Sequence, residues 1–358
     1  MQIGVVGAGV TGLFTALVLQ QRGYQVTVFD TTNRPYSADY GLCLSPAAQL
    51  TPLLSGLVDF TQALLKAGLS QSETLFFDAD SIHGNRTEST AGLITPLLIR
   101  SSTLLGLLRA SLRPGTVVPD VVPQGIHQQH GLVELEYSAH RSWHGELLLA
   151  ADGLHSRTLD LLEVERPLID LGQRFWRALA EDDSLLRGGA LHRYGSQDTL
   201  RLTAFDVGPD SCGCEQTHWC LFIASSAVRG SSRLDSVTQR SFPRGALQGL
   251  PESIVQMIRS TDPSTVMTGR IMDAEPLNQL VYGNVAVLGD AAHPMAPTQA
   301  RGVSSGFEDA VELADSLDRH RHDLAAALGD FQQRRLPVVK QQQRLSRREQ
   351  GVGCSGSA

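Results

Sequence analysis

The sequence predicts an α/β chain in which a parallel sheet carries a nucleotide-binding cleft and an antiparallel layer is inserted between its pieces. Three observations lead there. An apolar run enters a glycine-rich turn at residues 2–12; two later apolar runs each end on an Asp-Gly or Gly-Asp pair; and at about 168–272 short alternating segments replace helical periodicity. The 358 residues suit two domains or one interleaved unit. With 42% apolar and 19% charged residues, and 34 Gly against 16 Pro, the chain can bury a large core, which sets aside disordered, collagenous and coiled-coil classes.

In chain order, QIGVV at 2–6 reads as a strand, Leu13 to Gln21 as a helix ending at Arg22-Gly23, and Gln25 to Phe29 as a second strand closing on Asp30, the start of a parallel βαβ sheet. A loop with Pro35 and Pro46 leads to a helix predicted near 46–67 and a strand around Leu75 to Asp78. The segment 98–112 (LIRSSTLLGLLRASL) has leucines at helical spacing and is predicted as a helix, while 132–137 and 146–150 read as strands. Ala190 to Tyr194, Thr199 to Val207 and Thr217 to Ala224 alternate as in an antiparallel layer. Asn284 to Leu288 is a final apolar strand, followed by a helix from about Gly302 to Leu317, a polar helix over roughly Asp323 to Arg348 and a frayed tail.

Charge and cysteine usage narrow the partners. Thirty Lys and Arg against 37 Asp and Glu give −7, with no long basic block, so nucleic-acid binding is not expected. Five scattered cysteines and a start directly in a strand are read as a reducing, cytoplasmic setting. Cys212 and Cys214 lack further ligands at zinc spacing, so no metal is predicted, and no run of 18 apolar residues implies a membrane span.

Gly7, Gly9 and Gly12 stand in GxGxxG register between strand and helix, the context that gives this pattern meaning. Gly7 permits the tight turn, Gly9 lets backbone approach a pyrophosphate, and Gly12 lets the helix pack on the strand, so the helix N-terminus faces the phosphates. Asp30 lies 18 positions after Gly12, close to where an acid holds a ribose 2′-hydroxyl and repels a 2′-phosphate. The Rossmann slot therefore suits NAD or FAD, not NADP. The later pairs are Asp152-Gly153, in LAADGLHSR at 149–157, and Gly289-Asp290, in VAVLGDAAH at 285–293 with Pro294 and Pro297 behind it.

This trio resembles the group A flavoprotein monooxygenases, the para-hydroxybenzoate hydroxylase and salicylate hydroxylase-like family, over essentially the whole chain. The resemblance implies a Rossmann-type FAD-binding domain from residues 1–70, 96–165 and 272–320, a substrate domain from 71–95 and 166–271, and a C-terminal helix and tail at 321–358. It implies that Gly7, Gly9, Gly12 and Asp30 bind the ADP half of FAD, that Arg100 lies beside the phosphates and ribityl chain, that Asp152 serves FAD and NAD(P)H pyrophosphate, and that Asp290 bonds the ribityl hydroxyls. Pro297, Gly302, Val303 and Ser304 would border the isoalloxazine, where a helix N-terminus favours the negative charge of reduced flavin. The loop here reads Ala300-Arg301-Gly302-Val303-Ser304 where the family has a sequence close to GQGxN, and Thr31 follows Asp30 where Arg is common.

The implied activity is hydroxylation of a small aromatic or related electron-rich substrate: NADH or NADPH reduces FAD, O₂ adds as a C4a-hydroperoxide, and its distal oxygen is transferred. The cofactor carries that step, leaving the protein to shield, position and deprotonate. Arg201 and His218 are the candidate catalytic residues of the alternating strands. His192 and Tyr194 share those strands, and Arg177 and Arg193 could, like Arg201, meet an acidic substrate. His293 matches the family's packed histidine, and Trp219 and Phe222 are read as core. Trp143, Trp176 and Trp219 are dispersed, without the tryptophan-rich cluster of flavin halogenases. A quinone or isoprenoid hydroxylase, a reductase, or a flavin-binding pathway protein without oxygenation of its own remain alternatives, and the chain is expected to be a monomer or homodimer.

Overall fold

The coordinates are those of a computed structural model, which describes residues 1–31, 39–44, 54–78, 85–89, 96–138, 141–181, 186, 190–196, 199–210, 212–225, 246–297 and 301–349. The chain starts with β1 (Gln2–Val6), α1 (Val10–Gln21) and β2 (Gln25–Phe29), then β3 (Gly41–Leu44), α2 (Val58–Ala67), β4 (Leu69–Ser70), β5 (Glu73–Asp78), β6 (Asn85–Ser89), β7 (Leu97–Arg100) and α3 (Ser101–Ser111). Next come β8 (Val117–Val118), β9 (Gly125–Gln129), β10 (Leu132–Ser138), β11 (Arg141–Gly145), β12 (Leu147–Ala150) and α4 (Arg157–Leu161). The long strands β13 (Leu168–Glu181), β14 (Ala190–Ser196), β15 (Thr199–Pro209) and β16 (Glu215–Ala224) precede α5 (Glu252–Ser260) and β17 (Met267–Ala274). The chain closes with β18 (Val281–Tyr282), β19 (Val285–Val287), a 3₁₀ turn (Gly289–Ala291), α6 (Gly302–Arg319) and α7 (Leu324–Glu349).

The first sheet has the order β18-β19-β12-β1-β2-β8, parallel throughout except for β18 at its edge. Its central strands are apolar on both faces, as a sheet covered on both sides must be: β12 and β19 are buried at every position. Helix α1 is enclosed between this sheet and its helical neighbours, which is why it is buried from Gly12 to Gln20 and has no polar stripe. Phe14 of α1 stacks on Phe307 of α6 at 3.8 Å, tying the N-terminal βαβ unit to the late helix.

The second large sheet, β17-β13-β16-β15-β14-β5-β6, roofs the strand ends of the first. On its outer face Trp176, Trp219 and Leu221 pack with Ile254 and Ile258 of α5, and the Trp219 indole donates to Thr261 Oγ1 at 3.0 Å. Its other face meets Ala296 through Phe222 and Cys220, and meets Leu98 and Cys43 through Phe205 and Leu191. Trp219 and Phe222 are thus core side chains.

Several expectations change. Residues 97–100 are strand, with Leu98 paired to Cys43 and Ile99 to Leu42, so the helix begins at Ser101. Three consecutive buried apolar residues at 97–99 need cover on more than one side, which a strand between sheets provides and a surface helix does not. The roof is mixed and not wholly antiparallel, because β14 pairs with β5 in parallel. Of the helix expected near 46–67, residues 45–53 lie outside the described residues and Val58–Ala67 is helical. The tail at 350–358 also lies outside them. No described helix is long and apolar enough to cross a membrane.

Candidate functional site

Three chain turns converge at the C-terminal ends of β1, β12 and β19. The Ala151 amide donates to Val6 O and the Leu288 amide to Ala150 O, each at 2.9 Å, extending the strands into the turns. Gly7 has φ +103°, and a Cβ there would strike the Ala151 carbonyl; a Cβ on Gly12 would collide with the Gly7 carbonyl oxygen. Both glycines are therefore required by the protein's own packing. Gly9 differs: at φ −73° and ψ −178° it is extended backbone open to any residue, so its conformation does not require glycine. The space in front of α1 is bounded by helix donors with no side-chain cap and no acidic residue in the first turn.

Asp30 ends β2, 7% exposed, and its carboxylate accepts from Arg109 Nη2 of α3 at 3.3 Å. Arg100 ends β7 and is bound to Asp39, with Nε at 3.0 Å and Nη2 at 2.8 Å from Oδ2. Asp39 also accepts from Ser101 Oγ and from the Ser102 amide and hydroxyl, so it caps α3 from a distant segment. Burial would raise its pKa, but the hydrogen bonds from Ser102, Ser101 and Arg100 outweigh it and hold the carboxyl below the ordinary range.

Asp152 turns inward. Its oxygens accept from Ser156 Oγ at 2.6 Å and from the Thr158 amide and hydroxyl at 2.9 Å, and Ser156 in turn caps α4. The carboxylate that the family resemblance assigns to pyrophosphate is taken up by the turn, so the turn faces the cleft with its backbone. Asp290 is open to solvent yet walled by protein, and that surround raises its carboxyl pKa against the opposing pull of His293 and Arg166. Its Oδ1 lies 3.8 Å from where a Cβ on Gly302 would stand, at the first residue of α6. Helix α6, like α1, begins with neither a side-chain cap nor an acid in its first turn. Val303 packs on the main core and Ser304 is 1% exposed, so Gly302 is the member of this stretch that faces Asp290. Pro297 is exposed, and residues 298–300 lie outside the described residues.

Behind this floor runs a buried ionic chain. His293 Nε2 lies 2.6 Å from Asp309 Oδ2, which also accepts the Gly289 amide at 2.8 Å; Asp309 Oδ1 accepts Arg335 Nε at 2.9 Å; Arg335 pairs with Glu308 at 3.0 Å, and Glu308 with Arg301 at 2.8 Å. Burial alone would raise Asp309, but the His293 and Arg335 charges and the His293 and Gly289 hydrogen bonds bring its pKa down to about 2. Helix α7 braces the same loop through Gln343 on Pro294 O and Ser346 on Ala296 O. The C-terminal helix thus braces the loop that follows β19. His293 is buried, with its Nε2 on Asp309. Asp309 had a signal in the sequence, an acid beside the apolar stripe of α6; Arg335 and Asp39 had none.

In the roof, register aligns Arg193, Thr203, Cys220 and Arg177 in one row on the cleft-facing side. The Arg177 guanidinium lies 3.5 Å over the Tyr40 ring, its Nε is buried without a hydrogen-bond partner, and it has no carboxylate partner among the described residues. His218 is on the same face, 5% exposed, packed on Phe205 at 4.8 Å and against Gly41. Burial, then the Arg177 charge, pushes its pKa down to about 3. A nitrogen held that far below neutrality is poorly suited to the role of base that the sequence suggested for His218. His192 pairs with Ala204 opposite Trp219, on the α5-covered side, and burial pushes it to about 4. Arg201 and Tyr194 are residues of β15 and β14 whose side chains lie outside the described residues.

Two uncapped helix N-termini, a glycine dispensable to its own backbone, and an accessible acid between them are a donor and acceptor set that fits an extended dinucleotide such as FAD. A family profile described as "FAD binding domain" matches residues 132–346, and one described as "FAD dependent oxidoreductase" matches residues 2–183. The aurachin C monooxygenase/isomerase of Stigmatella aurantiaca is 27% identical over 331 residues, covering 92% of this chain and 83% of its own. The phenazine 1,6-dicarboxylic acid hydroxylase PhzS of Lysobacter antibioticus is 27% identical over 363 residues, covering 94% and 86%. Among solved structures, Klebsiella pneumoniae HpxO, crystallised with FAD and uric acid, has a TM-score of 0.84 at 23% identity over 99% of this chain and 90% of that one, a likeness of fold.

Proposed function

The chain belongs to the FAD binding domain family and is an FAD-dependent oxidoreductase of the monooxygenase type, and from that premise we propose that it hydroxylates a small, electron-rich aromatic substrate bearing an acidic group, with NADH or NADPH as reductant. The observation that carries this reading is Arg177, a cation over Tyr40 on the cleft-facing side of the roof with no carboxylate partner among the described residues. A half-buried guanidinium is costly unless an anion completes it, and a carboxylate or phenolate of the substrate does so with a paired hydrogen bond.

FAD, when bound, accepts the hydride and activates oxygen. The chain's own residues bind, orient and exclude water. The first turn of α1 would hold the pyrophosphate, Asp290 would accept from the ribityl hydroxyls, and the α6 N-terminus at Gly302 would offer donors to the electron-rich edge of the ring system. Arg177 lowers the cost of ionising an acidic ring hydroxyl in place of a protein base, which fits the weak basicity of His218. Phe222, Phe175 and Ala296 close the apolar side, keeping water from the reacting face.

The test is NADH and NADPH oxidation by the purified yellow protein, without additive and with phenols, aromatic carboxylic acids and hydroxyquinolones, followed by mass analysis for an added oxygen. Stimulation by acid-bearing rings and a product heavier by one oxygen are expected. No stimulated turnover with any of them refutes the reading.

A further inference from the structure

Arg166 stands in the link between α4 and the roof, two residues before β13, and its guanidinium ties together the two acidic turns of the floor. Nη2 donates to Leu154 O of the Asp152-Gly153 turn at 2.5 Å, and Nη1 donates to Asp290 O of the Gly289-Asp290 turn at 3.3 Å. No carboxylate lies within salt-bridge distance of it among the described residues, and its Nε is buried without an acceptor. Asp290, Asp152 and Asp160 surround it as longer-range charges. A half-buried cation held by two carbonyls, with acids around it and none within ion-pair distance, is poorly explained as a stabilising ion pair.

We infer that Arg166 is a positioning residue of the flavin site, clamping the Asp290 turn to the Asp152 turn at the point where the roof strand leaves the cofactor domain. The peptide whose carbonyl it holds belongs to Asp290, so the clamp sets the orientation of that residue's backbone and, through it, of the carboxylate facing α6. The turns themselves are closed without Arg166: Asp152 is held by Ser156 and Thr158, and Gly289 by Asp309. Loss of the clamp therefore releases one turn relative to the other while each stays folded. The inference rests on FAD occupying the cleft and not on the identity of the substrate, so a negative result with every aromatic additive leaves it intact.

The experiment compares Arg166→Met, which keeps length and packing without donors or charge, with Arg166→Lys, which keeps the charge but has a single donor nitrogen where the guanidinium uses two. Apoprotein of each is titrated with FAD by flavin fluorescence, and apo and holo melting temperatures are recorded. The Met variant is expected to bind FAD at least about tenfold more weakly, the scale of losing hydrogen bonds from a charged donor. Its apo melting temperature should stay near that of the parent, the stabilisation on adding FAD should shrink, and Lys should recover part of the affinity. Parent-like FAD affinity in the Met variant overturns the inference. So does an apo melting temperature that falls as far as the holo one, because that marks a general structural role. Should the Met variant fail to fold, Arg166→Gln and Arg166→Lys carry the comparison, and parent-like FAD affinity in both overturns it.

Discussion

Replacing Arg335 with Met tests whether the C-terminal helix sustains the cofactor floor. Arg335 is 6% exposed and donates to Asp309 at 2.9 Å, to Glu308 at 3.0 Å and to the Ser305 carbonyl and hydroxyl at 3.3 Å. Met fills much of its volume but leaves Asp309, 1% exposed, with His293 and the Gly289 amide alone. Breaking a buried pair from one side costs about 3–5 kcal/mol, since the remaining charge is left in low dielectric. At roughly 2 cal/mol/K of unfolding entropy per residue, a chain of this length loses about 5 °C of melting temperature.

The loss has a pH signature. The folded pKa of Asp309 lies near 2 against an ordinary 3.8, so this group's contribution is fully present above about pH 4 and disappears as the pH falls through 2. The gap between parent and Arg335→Met should be constant from pH 5 to 7 and close toward pH 2. Calorimetry of the holo and apo proteins across that range measures it, together with FAD content, which should fall because Asp309 also holds the Gly289 amide. A melting temperature lowered by less than about 1 °C, or a gap independent of pH down to 2, refutes the reasoning.

Gly9→Val and Gly12→Ala should fail differently. The backbone at Gly9 accepts a side chain, so Gly9→Val should give folded, colourless protein by circular dichroism and flavin absorbance, whereas Gly12→Ala drives a Cβ into the Gly7 carbonyl and should lower soluble yield itself. For Arg177→Met, kcat/KM for an acid-bearing substrate should drop by about a hundredfold with FAD content unchanged, and Lys should restore part of it; equal loss on a neutral analogue would remove the charge argument. His218→Asn should leave the pH–rate profile between 5 and 9 without a lost limb. Because the folded state holds His218 neutral while the unfolded chain titrates near 6.5, acid destabilises the parent from about pH 6.5 down to about 3, and the variant's melting temperature should fall less steeply there.

What could be read in the sequence was local. Strand, glycine turn and helix over residues 2–21, the acid at the end of β2, and the Gly289-Asp290 pair after an apolar strand all follow from spacing between chain neighbours, and the structure gathers them at one set of strand ends. The start of the helix read over 98–112 shows the limit: Ser101–Ser111 is helical, but the apolar residues just before it also suit a buried strand, and pairing with Leu42 and Cys43, more than fifty positions earlier, decided the matter. His218 shows it in the site, since composition and alternation offered a histidine in the roof and only its burial against Gly41 and Arg177 removes its basicity.

The sequence by itself determined the cofactor fold and the glycine and acidic turns at its strand ends, because each depends on residues within one or two turns of chain. The tertiary structure alone decided which side chains hold those turns in place: Asp39 capping α3 across 63 positions, Arg335 on Asp309 across 26, and Arg166 on Asp290 across 124. Hydrogen bonds and buried charges act over a few ångströms in space whatever the separation along the chain, so these partners have no periodicity or spacing to betray them.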